Sequence, residues 1–69
     1  MKRKAVLKKI RDQAKEAGLE YAETELTNHT GITVGRTRST LGRHSEIDDL
    51  TARKFFEQFS AEFGKGWWR

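Results

Sequence analysis

The spacing of apolar residues divides the chain into three segments. From Lys2 to about Ala17, Val6, Ile10, Ala14 and Ala17, with Leu7, recur every three or four positions, the spacing that collects side chains on one stripe of an α-helix. Gly18 follows as a C-terminal stop. From Leu19 to about Gly42 that period is lost: Thr-rich stretches carrying Tyr21, Ile32 and Val34 are interrupted by Asn28, Gly31 and Gly35. This composition predicts three short strands, near 20–26, 29–34 and 37–42, although Glu23 and Glu25 are poor strand formers. The turns around Thr27 and Asn28 and around Gly35 and Arg36 are short, so an antiparallel meander is expected.

The third segment begins near Asp49 to Thr51, where acids suit a helix start, and sets Ala52, Phe55, Phe56, Phe59 and Phe63 in a narrow stripe that runs to Gly64. A single helix is expected here, with its phenylalanines in the core, because no other segment could anchor so small a protein. Gly66, Trp67 and Trp68 form a loosened tail. The fold class is therefore α+β in one domain, residues 1–69: helix, three-stranded antiparallel sheet, helix, with both helices on one face. In outline this is a dsRBD-like layout, that of double-stranded-RNA-binding domains, and a fold does not by itself give a function.

Charge adds direction to this scaffold. The chain has 14 Lys and Arg against 10 Asp and Glu, for a net charge of +4, and no cysteine. Disulfides and thiolate metal sites are thus excluded, in keeping with a reducing compartment. There is no apolar run of the roughly 20 residues needed to cross a bilayer and no signal-peptide apolar region after Lys4, so a cytoplasmic protein without membrane association is expected. Lys4, Lys8, Arg11 and Lys15 recur at helical spacing opposite the apolar stripe. They form either a plain solvated face or a ridge for a polyanion; like charges four apart are mildly unfavourable, which favours the ridge. Arg36, Arg38 and Arg43 make a second basic group with no acid between positions 27 and 45.

The candidate chemistry rests on two histidines. In the second strand, alternation sets Ile32 and Val34 on one face and His29, Gly31 and Thr33 on the other, so His29 faces water if Ile32 and Val34 face the helices. Thr30 and Gly31 beside it are small and would leave room for a substrate; the plainer alternative is a histidine in a polar turn. His44 lies close to Glu46, which favours a structural ion pair over a role as an acid. Two histidines 15 residues apart fall short of a zinc site. No P-loop and no serine or cysteine nucleophile motif is present, so no metal or cofactor is called for and any reaction falls to histidine, lysine and arginine.

Several short motifs in order carry a more specific resemblance. Asn28, His29 and Thr30, then Thr40 to Gly42, then Arg43, His44, Ser45, Glu46 and Ile47, then Thr51, Ala52, Arg53 and Lys54, together with the Gly64 to Arg69 ending, resemble the HicA toxin pattern over nearly the whole chain. Thr27 and Asn28 stand where the more widespread members have Gly-Ser, Gly42 stands where proline is usual, and Ser39 replaces a typically apolar residue, which should weaken the third strand. The resemblance implies an mRNA-cleaving toxin with a dsRBD-like fold, His29 as the catalytic histidine and a HicB-like antitoxin protein as partner. On that reading His29 takes the proton of a ribose 2′-hydroxyl without a metal. His44 is a candidate acid, and Lys4, Lys8, Arg11, Lys15, Arg36, Arg38 and Arg43 bind RNA. Two other classes stay open: a non-catalytic RNA-binding module of the same fold, and an interaction protein whose Trp67 and Trp68 tail seeks a partner chain.

Overall fold

The computed structural model describes residues 1–69. Its elements follow in the order α1 (Arg3–Glu16), β1 (Tyr21–Glu25), β2 (His29–Val34), β3 (Thr37–Gly42), α2 (Asp49–Glu57) and α3 (Ser60–Phe63). Val6, Leu7, Ile10 and Ala14 are the buried face of α1. Ala17, expected on the same stripe, is exposed because the helix ends before it. Gly18 takes a positive φ of 72°, and beyond it Leu19 N–H reaches back to Ala14 C=O at 2.9 Å while Gly18 N–H bonds Lys15 C=O at 3.2 Å. This is a Schellman closure, in which glycine supplies the left-handed residue and Leu19 folds back onto the core.

The three strands form one antiparallel sheet in the order β1-β2-β3. Val34 pairs with Thr37 across Gly35 and Arg36. Gly35 alone in that turn has a positive φ, 56°, the pattern of a type II′ hairpin. At the other end Leu26 N–H donates to His29 C=O at 2.9 Å across Thr27 and Asn28, neither of which needs a positive φ. Register puts Thr30, Ile32 and Val34 of β2 beside Leu41, Ser39 and Thr37 of β3, on the face that α1 and α2 cover. The opposite face carries Ala22, Thr24, His29, Gly31, Thr33, Arg38, Thr40 and Gly42 and has no helix on it. Ser39 does not weaken β3 as expected: it is buried, and its hydroxyl donates to Gln58 Oε1 at the end of α2, tying strand to helix.

The expected single C-terminal helix is two. Asp48 caps α2, accepting from Thr51 N–H at 3.2 Å and Thr51 Oγ1 at 2.6 Å; those two bonds from Thr51 hold its carboxyl below the ordinary range. The helix then ends at Glu57, and Phe59, at φ −99° and ψ 14°, leads into the short α3. The break lets Phe59 sink completely into the core beside Phe55 and Phe56, while Phe63 remains half-buried. Trp67 and Trp68 are not a loose tail. Trp67 Nε1 donates to Phe56 C=O at 2.8 Å, Trp68 Nε1 donates to Glu57 Oε1 at 2.5 Å, and both rings lie against Phe56. No helix is long and apolar enough to cross a membrane.

Candidate active site at the open end of the sheet

His29 opens β2 and is exposed on the uncovered face, where alternation put it. Thr30, expected to leave room on that face, is fully buried on the other. Its hydroxyl accepts from the Arg3 guanidinium and donates to Glu25 Oε1 at 3.2 Å, so Thr30 serves the internal architecture. Gly31 is the small residue beside His29 on the open side. A Cβ there would meet Arg38 Nη2 at 3.3 Å, because the Arg38 side chain leans from its place opposite Thr33 across the glycine. Gly31 is the same-face neighbour two residues along the strand from His29, so Arg38 lies over the position next to it on the open side.

His44 lies beside the end of β3. Gly42 is the residue directly opposite His29, and a Cβ on Gly42 would lie 3.5 Å from His44 Cδ2. The His44 ring thus fills the space beside the strand that a side chain at position 42 would take. His29 and His44 thus lie at the same end of the sheet, His29 on β2 and His44 just past the end of β3. The expected pairing of His44 with Glu46 does not form. Glu46 bonds Lys2 Nζ at 3.0 Å, and Lys2 first of all holds its carboxyl below the ordinary range. An antiparallel bridge between Lys2 and Glu46 fixes that arrangement and turns Glu46 toward the start of α1.

The cations divide into four groups. Arg38 leans over Gly31 on the open face, whereas Arg36 sits in the turn at the far end of β2 and β3. Arg43 crosses the near end of the sheet to bond Leu26 C=O and Glu25 Oε2, the latter at 2.7 Å. Lys4, Lys8, Arg11 and Lys15 are all exposed along α1. That ridge is less pure than its spacing suggests, because Lys8 Nζ contacts Asp12 at 2.5 Å and, with Arg11 and Lys15 nearby, keeps the Asp12 carboxyl below its ordinary range.

Sequence reasoning passed over Arg3. Its Nε donates to Gly42 C=O at 3.3 Å while Nη2 holds Thr30, so one half-buried guanidinium joins α1 to the ends of β2 and β3 behind the histidines. An arginine one residue into a basic helix gives no periodic signal of that role. No group of three histidine, cysteine or carboxylate side chains comes together in a way that could hold a metal ion. The chain is a small α+β domain whose sheet has one open face, with His29 exposed at its edge. No protein-family model matches the chain, and searches of curated proteins and of solved structures found no match.

Proposed function

We propose that this protein is a cytoplasmic, RNA-cleaving toxin of the HicA kind, held inactive by a HicB-like antitoxin. The observation that carries the reading is the exposure of His29 on a sheet face that no helix covers and whose other side chains are small apart from Arg38, with His44 beside the Gly42 that His29 faces. Neutral His29 takes the proton of a ribose 2′-hydroxyl, and the 2′-oxygen attacks the adjacent phosphorus. As the bond from phosphorus to the 5′-oxygen breaks, protonated His44 gives its proton to that oxygen. The products are a 2′,3′-cyclic phosphate and a 5′-hydroxyl, with no metal or cofactor in the scheme. Arg38 offers its free N–H groups to the non-bridging oxygens, whose charge grows in the transition state. The exposed cations of α1 hold the mRNA backbone.

An acid and a base acting together give a bell-shaped dependence of kcat/KM on pH. His44→Ala should remove one limb of that bell and leave the other, and His29→Ala should remove the opposite limb along with nearly all of the rate. A wild-type profile with a single limb, or one unchanged by His44→Ala, contradicts the pairing. Salt-sensitive RNA binding without cleavage would favour instead a non-catalytic module of the same fold, which the exposed basic face of α1 would also serve.

A further inference from the structure

The start of α1 and the segment after β3 enclose a cleft of about 420 Å³ lined by Lys2, Arg3, Lys4, Arg43 and Ser45. Two backbone contacts build it: Arg3 N–H bonds Ser45 C=O at 2.9 Å, and Lys2 bridges Glu46. Four cationic residues line the space and no carboxylate does; two of the four are paired outside the lining, Lys2 with Glu46 and Arg43 with Glu25. Four positive residues against those two negative partners leave an excess of two around one small volume. We propose that this cleft is a phosphodiester subsite, which seats a backbone phosphate of the RNA next to the one being cleaved. This rests on the RNA-cleaving reading above and adds a register for the bound strand.

Pre-organisation separates the cleft from the α1 ridge. The Arg3 guanidinium is fixed by Gly42 C=O and Thr30, and that of Arg43 by Leu26 C=O and Glu25. A guanidinium has five N–H donors, so each keeps unused donors while its side chain is already ordered. Lys4 adds an uncommitted ammonium and Ser45 a hydroxyl. Position supplies the link to catalysis. Gly42, whose carbonyl Arg3 holds, is the residue opposite His29, and Arg43 crosses the end of β2 that His29 begins. The cleft therefore lies on the helix side of the sheet end whose open side bears His29. A strand rounding that end passes from one to the other.

The test uses isotope-labelled His29→Ala protein, titrated by NMR with inorganic phosphate and, separately, with an all-2′-deoxy hexanucleotide, so that no cleavage enters the readout. Phosphate should cause saturable shifts at the amides of Lys2, Arg3, Lys4, Arg43 and Ser45. Lys4→Ala should weaken hexanucleotide binding about tenfold, the value of one charge-assisted contact, and lower the salt slope by about 1. Arg36→Ala should leave the phosphate shifts in the cleft unchanged. Non-saturating shifts spread over Lys8, Arg11 and Lys15, or a Lys4→Ala affinity within twofold of the parent, would overturn the subsite. If phosphate seats in the cleft but wild-type protein does not cut RNA, the cleavage reading fails alone; if RNA is cut but the cleft stays silent, the subsite fails alone.

Discussion

Phe59→Ala should bring the domain to the edge of unfolding. The ring is fully buried, packs edge-on against Phe55 with centroids 5.2 Å apart, and occupies the break between α2 and α3. Truncating a buried phenylalanine costs roughly 3–5 kcal/mol, from lost transfer energy and from the cavity left behind. The helix break limits collapse into that cavity, because the backbone at Phe59 is also the hydrogen-bond acceptor that starts α3. At about 0.05–0.15 kcal/mol per residue, a chain of 69 residues has roughly 3–10 kcal/mol in total. The loss is therefore comparable to the whole reserve. Urea denaturation followed by tryptophan fluorescence suits the test, since both tryptophans pack on neighbouring Phe56. With m about 1 kcal/mol/M for a small domain, the midpoint should drop by about 3–5 M, or no folded baseline should remain. Leu50→Ala, at a residue 56% exposed, should stay within about 0.5 kcal/mol of wild type. A folded Phe59→Ala protein with an unchanged midpoint would refute the packing described for the helix break.

Asp12, Glu46 and Asp48 all have carboxyls held below their ordinary values of 3.8, 4.5 and 3.8. Their contribution is complete above those values and is lost as pH falls through the lower folded ones. The melting temperature should thus decline on acidification below about pH 4.5, and Asp48→Asn should flatten the decline; a melting temperature constant down to pH 2 would contradict it. Arg36→Glu with Arg38→Glu should weaken RNA and antitoxin binding together, and calorimetry showing antitoxin bound as tightly as by wild type would mean that the partner does not cover this face. Trp67→Ala should destabilise by about 1–3 kcal/mol, through the lost aromatic pairs with Phe56 and Phe63 and the lost indole hydrogen bond to a Phe56 carbonyl that still accepts from Phe59 N–H, yet spare RNA affinity; an unchanged melting temperature would return Trp67 to the role of a free tail.

What the sequence made legible was periodic. Val6, Ile10 and Ala14 at helical spacing, Ile32 and Val34 at strand spacing, and glycine at positions 18 and 35 specify α1, β2 and two turns by local rules that tertiary contacts reinforce. The exposure of His29 follows from the same alternation. The helix break at Phe59 was not legible, because Phe55, Phe56, Phe59 and Phe63 keep helical spacing through it; the core's demand for Phe59 overrides the continuation. The partner of His44 was misjudged for a similar reason. Nearness in sequence favoured Glu46, while an antiparallel bridge to Lys2, 44 positions away, turns that carboxylate elsewhere. Ser39 and Arg3 show the same limit: each finds its hydrogen-bond partner in a distant segment, Gln58 for one, Thr30 and Gly42 for the other.

The most direct measurement of the central claim is incubation of purified wild type and His29→Ala with total RNA in EDTA, with the new termini identified chemically. Because His29 is exposed at the start of β2 and outside the core, its replacement should leave the melting temperature within a few degrees of wild type. Wild-type protein should produce fragments ending in 2′,3′-cyclic phosphate and beginning with a 5′-hydroxyl, and His29→Ala should produce at least about a hundredfold fewer, the lower bound for general base catalysis. Cleavage by a well-folded His29→Ala protein within about twofold of wild type, or no cleavage by wild type at all, would contradict the account.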